Sequence, residues 1–161
     1  MKITITSGDI QKEIEFFGRF KAGILPALAK GINTYLIRLR DYIVSQKLSG
    51  QVLKVQTGTL RSSIMPILAT IIGGRVQGGI GTNVIYARIH EFGGVINRSA
   101  IFPKNAEALH FFIGGKEIFA KRVGPAQINM PARPYALPSL RETEDIMITS
   151  IQNALNKEAE K

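Results

Sequence analysis

Hydrophobic and polar positions change period several times along the 161 residues, and each change marks an element. Lys2–Thr6 alternates polar with apolar residues, the two-residue period of a short strand. From Asp9 the period lengthens: Ile10, Ile14, Phe17 and Phe20 fall at helical spacing, with Ser7 or Asp9 available as N-cap. Gly23 weakens that helix, and Pro26 is expected to end or restart it, because a proline inside a helix removes a donor and crowds the preceding turn. A second helical run follows. Leu28, Ile32, Tyr35, Leu39, Tyr42 and Gln46 trace one stripe, with Lys30, Thr34, Arg38, Asp41 and Ser45 away from it and Ser49–Gly50 as the stop.

Beyond Thr57–Gly58–Thr59 the chain becomes strand-like. Leu60–Ile72 is rich in Ile, Leu and Thr, Gly73–Gly74 is a hairpin turn signal, and Arg75–Ile80 is expected to return antiparallel. Pro66 places the first strand on a sheet edge or at a bulge. Residues 84–92 interrupt as a short helix, with Asn83 as cap, Gly93 as terminator and Ile85, Ile89 and Phe92 on an inward face. Val95–Phe102 resumes extended structure. A two-residue loop at Gly114–Gly115 then pairs Ile113 with Lys116, Phe111 with Ile118 and His110 with Phe119. Leu109, Phe111, Ile113, Ile118 and Ala120 share one face of that hairpin, and His110 lies on the other beside Phe112 and Phe119. The prolines of Met130–Tyr135 hold that segment extended. Pro138 opens a last helix, acidic near its start and carrying Leu140, Met147, Ile151 and Leu155 on one side.

The expected fold is α+β in one domain, 1–161: a mostly antiparallel sheet packed against N-terminal and C-terminal amphipathic helices. Residues 1–50 form a strand and a helical region, 57–130 a β-rich region, and 138–159 the C-terminal helix. The length suits one domain with its own core.

Composition narrows the chemistry. With no cysteine, disulfides and thiolate metal sites are excluded. The N-terminus has no long apolar stretch of a signal peptide, and the apolar run Ile64–Ile72 is too short to span a bilayer, so the chain reads as soluble, with no membrane partner. The net charge of +9 is uneven: residues 1–60 hold nine Lys/Arg against four Asp/Glu, 61–133 nine against three, and the remainder three against five. A basic body suits an acidic partner, or serves solubility alone, since no Lys/Arg run exceeds the pair Lys121–Arg122.

The His90–Glu91 pair invites a catalytic or metal reading. A zinc protease needs two histidines one helical turn apart around a Glu base, but position 94 is Gly, and the only other histidine is His110 in a strand. Phosphate-loop, dinucleotide and nucleophile-elbow signatures are also missing. No catalytic, cofactor-binding or metal-binding residue is therefore assigned, and the sequence reads as non-enzymatic.

Four segments in order carry a resemblance: "KLSGQVLKVQTGTLRSSI" (Lys47–Ile64), "GTNVIYARIHEFGG" (Gly81–Gly94), "IFPKNAEALHFFIGGKEIFAKRV" (Ile101–Val123) and "MPARPYALPSL" (Met130–Leu140). Together they resemble the virion morphogenesis and tail-completion proteins of tailed bacteriophages, of the Mu-like prophage type, a group that includes minor tail and neck components. The first 46 residues and the last 20 share only their amphipathic helical character, and Tyr135 stands where the motif would carry Phe. The resemblance implies a structural virion protein at the head–tail junction or tail end. It would assemble in the host cytoplasm as a homo-oligomeric ring that completes or terminates the tail and joins it to the head. Its partners would be itself, the tail tube and neck or connector proteins, with DNA passing through the lumen. Gly- and Pro-rich stretches at 73–82, 93–106 and 124–137 would drape onto adjacent subunits.

On that reading "YARIHEFGG" is a shape element. Gly93–Gly94 turns the chain, as Gly114–Gly115 turns the hairpin, while Tyr86, Arg88, His90 and Glu91 contact partners or brace local structure. Arg133, between prolines, is either a partner contact or half of an intramolecular salt bridge, and Tyr135 is the aromatic contact candidate beside it. Two other classes compete. A sequence-nonspecific nucleic-acid-binding protein would show affinity falling steeply with salt. A metal-dependent hydrolase built on His90 and Glu91 would purify with stoichiometric metal.

Overall fold

The computed structural model describes residues 7–53 and 55–160, so the strand expected at Lys2–Thr6 lies outside the described residues. The class is α+β, with antiparallel strands and helices at both ends. The chain divides into two compact units: a helical unit of residues 1–85 with 134–161, and a hairpin unit, Tyr86–Arg133.

In the helical unit, α1 (Ser7–Tyr42) runs without interruption through Pro26. The expected break does not occur. One lost backbone donor is a local penalty, and the helix beyond it is held by long contacts with α5 (Glu144–Ala159) and with a hairpin. The side chains of Ile10, Ile14, Phe17 and Phe20 lie outside the described ones. The buried stripe of α1 is Ala27, Gly31, Tyr35, Leu39 and then Ile43, so Tyr35 and Leu39 fall where expected while Leu28 and Ile32 are only half-buried. Small residues take the seam because α5 approaches closely. A Cβ on Gly31 would stand 2.8 Å from the Cα of Ile151. Leu36 faces the hairpin instead, 2.9 Å from where a Cβ on Gly78 would sit. A π-helical turn (Ile43–Lys47) ends the long helix.

Thr59–Ser63 is helical (α2) rather than the start of a strand, and packs through buried Leu60. β1 (Met65–Ile72) and β2 (Arg75–Gly81) pair antiparallel across Gly73–Gly74, whose φ values of 56° and 76° suit a tight turn matching the strand twist. The register shifts between Ile67 and Thr70. There the Ala69 amide donates to Asn33 Oδ1 at 2.6 Å, so α1 satisfies a donor within the bulge.

The C-terminal helix is two helices, α4 (Ala136–Glu142) and α5, broken at Thr143. Thr143 is 1% exposed. Its hydroxyl donates to the Ser139 carbonyl at 2.7 Å, so the 3.0 Å bond with Tyr35 must be donated by the tyrosine. This polar pin across α1 fixes the break. It also sets the phase: Tyr135, Ser139 and Thr143 face inward, and Leu140, expected on one side of a single helix with Met147, Ile151 and Leu155, is exposed.

In the hairpin unit, α3 (Ala87–Phe92) leads into β3 (Gly94–Arg98), which pairs with β6 (Ala126–Met130). β6 falls within a stretch expected to be a loop. Its pattern, Ala-Gln-Ile-Asn-Met, alternates but is short and lies between prolines. β4 (Leu109–Ile113) and β5 (Lys116–Ala120) form the expected hairpin in the expected register, with Leu109, Phe111, Ile118 and Ala120 half-buried and Ile113 exposed at the tip. Ile101 and Val123 form an isolated bridge. The β-structure is not one sheet: among the described residues there are three two-stranded sheets, β1–β2, β3–β6 and β4–β5.

Candidate functional site

The segment from Tyr86 to Gly94 is organised by its exit. Gly93 caps α3 with φ 69° and ψ −174°, and its amide donates to Ile89 O at 2.9 Å. A Cβ there would lie 2.8 Å from the Ala132 amide nitrogen and 2.9 Å from Met130 O, so both the conformation and the space exclude a side chain. Arg133 N donates to His90 O at 2.7 Å. The 130–133 strap is thereby bound to the end of α3 by backbone contacts, continuing the β3–β6 ladder that begins at Gly94↔Met130.

Helix α3 starts at Ala87, with Tyr86 as N-cap residue and no side-chain cap, so Asn83 does not cap it. The later start leaves Ile85 outside the helix and its phase. Ala87 and Glu91, one turn apart, form the buried face, whereas Ile85 is 96% and Phe92 64% exposed. The inward apolar face expected at Ile85, Ile89 and Phe92 is reduced to half-buried Ile89, whose side chain reaches Gly94. A helix of six residues has room for one close contact row, and the small Ala87 occupies it.

Tyr86 and His90 do share a face, with ring centroids 5.7 Å apart at 90°. His90 Nδ1 is buried without a hydrogen-bond partner. Glu91 is buried and partnered, and no group of three His, Asp or Glu side chains among the described residues is placed to hold one metal ion. Of the six expected contact residues, Tyr86, Arg88 and Arg133 are exposed, and no ion pair among the described residues engages Arg133. Glu91 and Tyr135, 7% and 4% exposed, are structural rather than available to a partner. Tyr135 belongs to the helical unit, where its carbonyl accepts from Ser139 Oγ at 2.6 Å.

A second feature lies on the outer face of β4–β5. His110 stacks on Phe119 with centroids 4.8 Å apart, meets Phe112 edge-on at 5.2 Å, and contacts Glu117 through Nε2 at 2.7 Å. All four side chains are exposed. The alternation of the hairpin placed His110, Phe112 and Phe119 together. What it lacked was any sign that the face would stay uncovered, which depends on how many strands and helices the fold supplies.

No protein-family model matches the chain, and neither a curated protein nor a solved structure does. No described helix is long and apolar enough to cross a membrane.

Proposed function

We propose that this protein is a structural virion component of a tailed bacteriophage. It acts without catalysis, by forming a homo-oligomeric ring at the head–tail junction or tail end that completes the tail and joins it to the head. The sequence motifs supply the virion context. The observation that carries the assembly role is the uncovered β-structure: each sheet has two strands, so every strand has an unpaired edge among the described residues, and the hairpins expose Ile67, Leu68, Ile72, Phe112 and Phe119 by 57–66%. Two-stranded ribbons are marginal alone, and open strand edges with exposed apolar side chains are covered by further strands or by neighbours. A neighbouring copy is the occupant proposed, through head-to-tail contacts that close when the rotation permits. The ring would then meet the tail tube and neck proteins.

Electron microscopy of lysates from a phage or prophage with the gene interrupted tests the role. Full heads beside detached tails are expected for head–tail joining, and overlong tails for length termination. Intact virions of normal length would overturn the proposal.

A further inference from the structure

Between α1 and α5 the helical unit has a cleft of about 180 Å³, lined by Lys30, Thr34 and Arg38 from one helix and by Ser150, Asn153 and Lys157 from the other. The spacing is set by sequence. Positions 30, 34 and 38 repeat every four residues along α1, while 150, 153 and 157 do so at three and four along α5, so each set makes one row. Gly31 lets the helix backbones approach, which brings the two rows to the opposite rims of one groove. Three cations therefore border a small space, and no ion pair among the described residues engages any of them.

Ser150 distinguishes this cleft from an ordinary basic surface. The hydroxyls of Thr34, Ser139, Thr143 and Thr149 each donate to the carbonyl four residues earlier, which is how a helix usually satisfies them. Ser150 is only 5% exposed, yet its Oγ has no hydrogen-bond partner. A buried hydroxyl left unpaired is unfavourable by itself. Thr34 already uses its proton, so the donors left to the cleft are Ser150 Oγ, the Asn153 amide, the Arg38 guanidinium and the two ammonium groups.

We propose that this cleft binds a phosphoryl group, with Arg38, Lys30 and Lys157 neutralising its charge and Ser150 and Asn153 donating to its oxygens. Several donors converging with three positive charges fit a tetrahedral oxyanion better than a planar carboxylate, which presents only two oxygens. The phosphoryl group comes from a free phosphate or phosphomonoester, or from the backbone of a nucleic acid, and the site stands independently of the ring-assembly role.

The test is calorimetric and thermal titration of the full chain with inorganic phosphate, against sodium chloride at matched ionic strength. Wild type is expected to bind phosphate and melt higher in it. Arg38→Gln, at an exposed position, is expected to weaken binding about ten-fold or more. Ser150→Ala separates a ligand role from a packing role. It should leave the unliganded melting temperature unchanged or raised, because it removes an unpaired hydroxyl, while weakening phosphate binding several-fold. Lys104→Gln, in the hairpin unit, is the control for net charge and should bind as wild type does. A short DNA duplex distinguishes the sources. Competition with phosphate and loss of DNA binding in Arg38→Gln identify the nucleic-acid backbone, whereas phosphate binding without DNA competition identifies the free anion. Phosphate that stabilises no more than chloride, or equally in wild type and Arg38→Gln, would overturn the site.

Discussion

The two units solve the problem of burial differently. The helical unit holds nearly all of the fully enclosed side chains: Tyr35, Leu36, Leu39, Ile43, Leu48 and Ile64 are each at most 3% exposed. The hairpin unit, at 48 residues, buries only Ala87 and Glu91, at 4% and 7% exposed, and leaves its aromatics in solvent. A segment this small seldom builds a sufficient core alone, and oligomerisation is one of the few remedies for a chain without cysteine. The lesson is a division of labour. The helical unit encloses nearly all of the core, whereas exposed apolar surface lies on the hairpins of both units, at Ile67, Leu68 and Ile72 of β1–β2 and at Phe112 and Phe119 of β4–β5.

The largest effect that tests this division is on stability. Leu39→Ala removes a side chain that is 1% exposed and should cost about 2–5 kcal/mol in a denaturant titration. Phe119→Ala, at a residue 66% exposed, should change monomer stability by less than about 0.5 kcal/mol. Equal losses at the two positions would abolish the contrast between the units.

Assembly reverses the ranking. Phe119→Asp puts a charge on the exposed aromatic face and should weaken self-association by about a hundred-fold or more, roughly 2.7 kcal/mol, in sedimentation equilibrium. Far-ultraviolet circular dichroism should stay as in wild type, since the helical core is untouched. Unchanged association would mean that neighbours meet elsewhere.

Two glycines of one helix refine the account of the helical unit. Gly31→Ala forces a methyl to within 2.8 Å of the α5 backbone and should cost about 1–3 kcal/mol. Gly18→Ala meets no heavy atom within 4 Å among the described residues, and should stabilise by about 0.5–1 kcal/mol through helix propensity alone. If both variants are stabilised, the close approach of the helices is wrong.

Legibility in the sequence followed the same line. The β4–β5 register could be read residue by residue because a two-glycine turn fixes the pairing and alternation fixes the faces. The exposed row Lys30, Thr34, Arg38, Asp41 and Ser45 was equally clear. What misled was the assumption that the largest apolar residues mark the seam. Between α1 and α5 the seam is taken by Ala27 and Gly31, since backbone proximity selects small residues and displaces Leu28 and Ile32 to its margins. The break at Thr143 had no local signal, because its partner Tyr35 lies 108 residues away. In the short α3 a three-residue change of start moved the inward face from Ile85 and Phe92 to Ala87 and Glu91, so Glu91 left the expected contact set while Tyr86 and Arg88 stayed exposed. The phosphoryl cleft was hidden for a related reason: its cations were legible as an exposed row, but the unpaired Ser150 opposite them appears only when the helices are packed.

The smallest expected effect concerns how the helical unit fastens its two ends. Glu142 accepts from Tyr42 Oη at 2.7 Å and from Lys47 Nζ at 2.8 Å, tying α4 to the end of α1 and the π-helical turn. The Lys47 hydrogen bond, followed by that of Tyr42, holds the Glu142 carboxyl below its ordinary value of 4.5. The stability it contributes is therefore present above that value and is lost as pH falls through the depressed one. Tyr42 is raised above its ordinary 10.0, first by its hydrogen bond to Glu142, so its contribution is present below pH 10.0 and is lost as pH rises through the folded value. The cluster thus acts only between these limits. Glu142→Gln should melt slightly below wild type near neutrality, with the gap closing on acidification. Surface ion pairs contribute little, so the expected shift is small and should shrink further in salt. A gap that persisted unchanged at pH 2 would show that the Glu142 charge is not its source. The contrast between the enclosed core of the helical unit and the exposed aromatics of the hairpin unit would then rest on apolar packing alone.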